Sequence, residues 1–102
     1  MRSATKRKLG KDPARLEWTA NQPCWITGKR PATVHHVCFC GSRRDDNITL
    51  PLIPELHMRT HEKPGVPCIE RGKKIFEQFH GVSIDAGVLK YQELWEKEKT
   101  TW

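Results

Sequence analysis

The stretch ATVHHVCFCGSRRDDNITLPLIPELHMRTHE, residues 32–62, decides the fold of this chain. Its first part, residues 32–39, is rich in β-branched and aromatic side chains and predicts a β-strand. Residues 41–47 are polar and contain Gly and Asn, which is typical of a loop, and residues 48–53 predict a second strand. Pro51 lies within that second strand. Because proline has no N–H to donate, it favours an edge strand or an early end.

Three helices are predicted after the second strand. Pro54 suits the first helical turn, where its missing N–H costs nothing, so a helix is expected from Pro54 to Glu62. A second helix is predicted over residues 69–80, with Gly81 at its end. Its apolar face would contain Ile75, Phe76 and Phe79. The third helix is amphipathic, with apolar residues spaced four, three and four apart: Ile84, Val88, Tyr91 and Trp95.

The length and charge of the chain suggest one small domain with a polyanionic partner. The 102 residues leave room for a single small core, and the order of elements predicts an α+β fold. A net charge of +6 favours nucleic acid as the partner. Residues 1–20 hold six basic and two acidic residues, so they are predicted to form a basic flexible arm, with the domain over residues 21–102. The alternative for this arm is a disordered terminus that only aids solubility.

Membrane and secretory classes are not favoured by the sequence. No run of about 18 apolar residues is present, which argues against a membrane span. The basic residues near the N-terminus are not followed by an apolar stretch, so no secretory signal is visible. A cytoplasmic protein and a monomer are expected.

His57 and His61, followed by Glu-Lys-Pro, superficially match the end of a DNA-binding zinc finger. Such fingers need two to four residues between their cysteines and about twelve between the last cysteine and the first histidine. Here one residue separates Cys38 from Cys40, and sixteen residues lie between Cys40 and His57. The spacing therefore argues against this kind of finger.

The histidines instead suggest a metal site with an open coordination position. On a helix, His57 and His61 would share one face and bind one metal ion together, and one histidine of the first strand would complete a three-ligand site. His35 and His36 are neighbours in that strand, so their side chains diverge. One can bind the metal while the other faces the substrate, and a neutral imidazole near pH 7 is suited to deprotonate water. A nearby Asn side chain would then orient that imidazole.

Three motifs carry a resemblance to a known family: CWITG followed by VHHV, then DDNITLPLIPELHMRTH, then FEQFHGVSID. From about Pro23 to Trp95 the chain resembles the HNH (His-Me finger, ββα-metal) endonucleases. It is most similar to the phage Ref group of recombination-enhancement, RecA-dependent nucleases. The resemblance implies a small ββα-metal core with additional C-terminal helices.

The resemblance also implies roles for individual residues. His36 matches the general base that activates water, and Asn47 matches the residue that orients this base, with Asp46 as the alternative. The predicted metal ligands are His35, His57 and His61. The expected ion is Mg²⁺, although three imidazoles would also accept Zn²⁺ or another transition metal. The implied activity is hydrolysis of DNA to 5′-phosphate and 3′-hydroxyl ends by a phage-encoded protein that acts in recombination with a RecA filament.

Further candidates complete the predicted site. Loop residues Arg43 and Arg44 are candidates for DNA phosphate contacts, as are three residues of the arm: Lys6, Arg7 and Lys8. Many HNH relatives carry cysteines where this chain has Thr27 and Ile53. A structural zinc would therefore require an improvised site formed by Cys24, Cys38, Cys40 and Cys68.

Two other functions remain open from the sequence. One is a non-catalytic DNA-binding module whose histidines hold a structural zinc. The other is a degenerate HNH fold that serves as a protein-interaction adaptor.

Overall fold

The computed structural model describes residues 11–38 and 44–100, which form an α+β fold. A two-stranded antiparallel sheet is surrounded by helices, as the α+β prediction requires. The α-helices and strands, in chain order, are α1 Pro13–Ala20, β1 Thr33–His36, β2 Thr49–Leu52, α2 Pro54–His57, α3 Lys73–His80 and α4 Ile84–Thr100. Two short 3-10 helices cover Arg59–His61 and Ile69–Arg71.

Strands β1 and β2 form the predicted hairpin, in which His35 pairs with Leu50 and His36 with Thr49. The N–H of Val37 donates to the carbonyl of Ile48 at 2.9 Å. Antiparallel partners alternate between hydrogen-bonded and non-bonded pairs, so the backbone of Thr49 points away from β1. Pro51 is two residues further on and shares this orientation, so its missing N–H weakens no bond of the hairpin.

The core lies between the sheet and the C-terminal helix. The predicted amphipathic face of α4 is confirmed, since Ile84, Val88, Tyr91 and Trp95 are all buried. Ser83 accepts a hydrogen bond from the N–H of Ala86 and so caps the start of α4. The other side of the core is provided mainly by Leu50, Leu52, Leu56, Ile69 and Phe76.

The prediction of a flexible arm over residues 1–20 is wrong for its last eight residues, which form α1. Asp12 accepts the N–H of Arg15 and caps the helix, and Pro13 occupies its first turn. Arg15 and Thr19 are buried against the sheet. The arm was inferred from charge, yet Arg15 is only 1% exposed because its guanidinium donates to backbone carbonyls instead of facing water. Lys6, Arg7 and Lys8 lie outside the described residues.

The predicted helix from Pro54 to Glu62 begins as expected but is interrupted. Helix α2 ends at His57, and Met58 has an extended backbone with φ −117° and ψ 136°. The N–H of Arg59 donates to Oε1 of Glu70 at 3.1 Å. A distant carboxylate therefore takes the place of the helical acceptor, and the chain continues as a 3-10 helix.

The predicted second helix is also shorter, since Gly72 has φ 145° and separates α3 from the preceding 3-10 helix. Gly81 adopts the left-handed conformation at the end of α3, as predicted. Of the expected apolar face, Phe76 is fully buried, but Ile75 and Phe79 are 52% and 56% exposed. A helix of eight residues contacts the core along one narrow line, so only one of the three side chains is enclosed.

Within residues 11–38 and 44–100, no helix combines the length and the apolar character that crossing a membrane requires.

Candidate active site

His36, at the end of β1, is held between an acidic and a basic side chain. Its Nε2 lies 2.9 Å from Oδ1 of Asp46, and its Nδ1 lies 3.0 Å from Nη2 of Arg44. A guanidinium can only donate, so Nδ1 accepts from Arg44 and Nε2–H donates to Asp46. This pattern assigns one neutral tautomer to His36, with its basic lone pair on Nδ1.

Asp46 is fixed from two directions. Besides the bond to His36, its Oδ2 accepts the backbone N–H of Asp12 at 2.8 Å, at the start of α1. Burial raises the pKa of Asp46, but the hydrogen bonds from Asp12 and His36 outweigh it and hold the pKa below its ordinary value. The carboxylate is therefore ionised at neutral pH and stabilises a proton on the imidazole.

Asn47 supports the loop through its backbone. Its carbonyl accepts from Nη1 of Arg15 at 3.0 Å and from the side chain of Gln92 at 3.5 Å, and its N–H donates to Asp45 at 2.9 Å. The side chain that contacts His36 is therefore that of Asp46, the alternative raised from the sequence. The orienting role predicted for the side chain of Asn47 has no counterpart among these hydrogen bonds.

His35 and His57 form a second group next to this pair. Their ring centroids are 5.0 Å apart and the rings are nearly perpendicular, at 76°. The hydroxyl of Thr33 donates to the carbonyl of Leu52 at 2.7 Å and also lies 2.7 Å from Nδ1 of His57. Since the hydroxyl has one proton, Nδ1 of His57 is the donor in the second bond. The lone pair of His57 is then on Nε2, and Thr33 orients the ring in the way that outer-shell partners orient metal ligands.

Both imidazoles are neutral at pH 7. Burial, followed by the neighbouring His57, lowers the pKa of His35 to about 4. Burial also lowers the pKa of His57, opposed by the charge of Glu70. Neutral imidazoles are the form that binds a metal ion. His35 and His57 therefore fit two of the three predicted ligand positions.

His61 is not part of this group. It lies on the exposed 3-10 helix after α2, because the break at Met58 removes the four-residue helical spacing from His57. Among the residues that the structure describes, no three His, Cys, Asp or Glu side chains are close enough to hold one ion. The third ligand stays a prediction.

The two groups lie on either side of one strand and influence each other. Neighbouring side chains in β1 point to opposite faces, and a positive charge on His36 lowers the pKa of both His35 and His57. In the described part of the chain the sheet has only two strands, so the outer edge of β1 is not paired with another strand. A phosphate bound by both groups would therefore have to lie along that edge.

A cleft of about 400 Å³ opens on the His36 side. Its wall includes one lysine, one arginine and two apolar residues of α1. The lining residues are Lys11, Pro13, Leu16, His36, Arg44 and Asp46. One lysine and one arginine side chain beside a single carboxylate make this cleft suitable for an anion.

Residues beyond those predicted also belong to the site. The ammonium group of Lys73 donates to the carbonyl of Cys38, just after β1, and its charge lowers the pKa of His35. Glu70 acts on both His35 and His57. Neither had a sequence signal, since each approaches from another element. Asp12 followed by Pro13 is an N-cap signature that identifies α1.

The described cysteines do not form a zinc site. Cys24, Cys38 and Cys68 are free thiols, and none belongs to a group of three potential ligands in the described residues. The N–H of Thr27 lies 3.5 Å from Sγ of Cys24, so threonine occupies the place of a second cysteine in this turn. Burial, the largest cause, raises the pKa of the Cys68 thiol. Cys40 and Arg43 lie outside the described residues.

Comparison of the chain with protein-family models, with curated proteins and with solved structures finds no match. The geometry of the site and the motifs of the sequence therefore carry the functional inference.

Proposed function

We propose that this chain is a metal-dependent DNA endonuclease of the HNH type with His36 as its general base. The observation that carries the proposal is the Asp46–His36 pair, whose basic Nδ1 faces a cationic cleft while neutral His35 and His57 stand on the opposite face of β1. A base, an orienting carboxylate and imidazole ligands for a metal are the parts that phosphodiester hydrolysis needs.

In this mechanism Nδ1 of His36 takes a proton from a water molecule. The resulting imidazolium is stabilised by the ionised carboxylate of Asp46 through Nε2–H, and Asp12 holds that carboxylate in place. His35 and His57 would hold the metal, with His61 as the predicted third ligand. When bound, a divalent ion supplies charge stabilisation for the phosphate transition state and the departing 3′ oxygen.

DNA is the favoured substrate because of the net charge of +6 and the cationic cleft. The RecA filament, the role in recombination and the phage origin rest on the resemblance of the sequence to the Ref group. They are proposed as the biological setting of the same reaction.

The test is Mg²⁺-dependent cleavage of supercoiled, single-stranded and displacement-loop DNA, with and without RecA and ATP. We expect His36→Ala to lower the rate by about 10²–10⁴-fold, the usual contribution of a general base, with DNA binding retained. His80→Gln is the matched control, because His80, at the end of α3, contacts the carbonyl of Pro67 and lies outside the site. It should cleave like the wild type.

The outcomes separate the proposal from its rivals. Cleavage that needs RecA supports the Ref setting, whereas cleavage without RecA supports only the nuclease. An inactive wild type that binds Zn²⁺ tightly and binds DNA would overturn the proposal in favour of a DNA-binding module. If His36→Ala cleaved at the wild-type rate, His36 would not be the base.

A further inference from the structure

Arg44 occupies the one atom of His36 that the proposed mechanism needs. The guanidinium donates to Nδ1 at 3.0 Å, and the other ring nitrogen is engaged with Asp46. While this bond persists, Nδ1 has no lone pair available for a proton from water. The general base is therefore blocked in the protein without DNA.

The bond from Arg44 to His36 is weakly held. Arg44 is exposed, whereas the side chains of His36 and Asp46 are 13% and 14% exposed. Asp46 and the imidazole are thus fixed by the fold, whereas the exposed guanidinium can move at a small cost in free energy. A guanidinium forms stronger, bidentate hydrogen bonds with an anionic phosphate than with a neutral imidazole nitrogen.

The cleft beside this bond provides a place for such a phosphate. Lys11 and Arg44 both line it, together with the apolar side chains of Pro13 and Leu16 of α1. With the guanidinium turned to the anion, two cations would flank the phosphate. Nδ1 would then be exposed to water in the same cleft.

We propose that Arg44 is a positioning residue that keeps Nδ1 of His36 blocked until a DNA phosphate in this cleft withdraws the guanidinium. This inference rests on the proposed function, since it adds a substrate-dependent release of the same base. DNA would then be required both as the substrate and as the group that frees the base, which limits hydrolysis of small diesters.

The kinetic test uses two substrates and looks for effects of opposite sign. Thymidine 5′-p-nitrophenyl phosphate has one phosphodiester and no neighbouring phosphate to withdraw Arg44. Arg44→Ala should raise the rate of its hydrolysis by about tenfold. Loss of one charged hydrogen bond changes the free energy by about 1.4 kcal/mol, which corresponds to a factor of ten. The same variant should cleave plasmid DNA more slowly, because it loses a phosphate contact.

Two controls isolate the effect of the Arg44 bond. Lys11→Ala removes a cation of the cleft but leaves the bond from Arg44 to His36 in place, so it should slow DNA cleavage and should not raise hydrolysis of the small diester. Arg30→Ala removes an exposed arginine that bonds to Asn21, away from the cleft, and should change neither rate. If Arg44→Ala lowered both rates, or left the small diester unaffected, the proposal would be overturned.

A second measurement does not depend on catalysis. In EDTA, the ¹⁵N chemical shift of His36 Nδ1 should report a hydrogen-bonded acceptor in the wild type and an unblocked nitrogen in Arg44→Ala. Addition of a short DNA duplex to the wild type should move the shift toward that of the variant. Identical shifts in the two free proteins would overturn the inference even if the chain is a nuclease. The expected shifts without any cleavage would instead uphold the contact and refute the function.

Discussion

Replacing Arg15 by Met should destabilise the protein more than its place in a basic N-terminal region suggests. The guanidinium donates to the carbonyls of Asn47 and Thr49 at 3.0 and 3.2 Å and to the hydroxyl of Thr19 at 3.1 Å. The carbonyl of Thr49 points away from β1, so within the sheet it has no strand partner. Met matches the length of Arg but provides no donor.

The size of the effect follows from the acceptors left behind. A buried carbonyl without a partner costs about 1–3 kcal/mol, and this applies to Thr49. The carbonyl of Asn47 loses its hydrogen bond to the charged guanidinium, which is worth about 1.5–3 kcal/mol. Its long bond to Gln92 remains and offsets part of that loss. Burial lowers the pKa of Arg15, and relief of that desolvation offsets some of the loss. We expect a net loss of about 3 kcal/mol.

Urea and thermal unfolding measure this change. For a domain of this size, about 3 kcal/mol corresponds to a Tm lower by roughly 12–24 °C. Arg30→Met is the control, since Arg30 is exposed and donates to the single carbonyl of Asn21; it should change stability by less than about 1 kcal/mol. If Arg15→Met were no more harmful than Arg30→Met, α1 would not be docked on the sheet. The flexible arm expected from the sequence would then be right over residues 13–20.

Three further predictions concern packing and pH. Gly87→Ala should destabilise the protein by about 1–3 kcal/mol through overpacking, because a Cβ at this position would lie 2.5 Å from the ring of Trp25. Alanine favours helix more than glycine does, so a gain of stability in thermal unfolding would contradict this reasoning. Phe76→Ala should cost about 3–5 kcal/mol and Phe79→Ala less than about 1 kcal/mol in urea unfolding, and equal losses would refute the exposure of Phe79. In EDTA, acidification from pH 6.5 to pH 4 should remove up to about 3 kcal/mol of stability through His35, because the unfolded state binds a proton there that the folded state excludes. His35→Asn should lack that part of the pH dependence, and a variant as acid-sensitive as the wild type would exclude His35 as the cause.

The hairpin was predictable because its signals are local. Residues 32–39 and 48–53 contain the β-branched side chains that favour strands, and the polar residues 41–47 between them favour a loop. The apolar spacing of α4 and the glycine at position 81 likewise act within one or two helical turns. These features depend on neighbours in the chain, so a single sequence contains the information.

The composition of the candidate site was predictable, but its contacts were not. His35 and His57 come together as the motif suggested, whereas His61 does not, because Glu70 takes the N–H of Arg59 and interrupts the helix. The charge of Glu70 reaches the two histidines from a different element. No periodicity in residues 54–62 indicates that interruption.

The choice between Asp46 and Asn47 shows the same limit at one position. Both residues occupy the loop before β2, and either side chain has the chemistry to orient His36. Only the three-dimensional path of the loop, held by Asp12 and Arg15 of the α1 segment, turns Asp46 toward the imidazole and directs the hydrogen bonds of Asn47 through its backbone.

The sequence by itself determined the α+β class, the hairpin, the amphipathic C-terminal helix and the histidines of the candidate site, since propensity and spacing act over a few residues. Tertiary structure decided that α1 packs as a helix, where α2 ends and which side chains touch His36. Each of these depends on a hydrogen bond between groups eight to 34 residues apart. Such bonds form only after the chain has folded back on itself, when burial makes an unpaired polar group expensive.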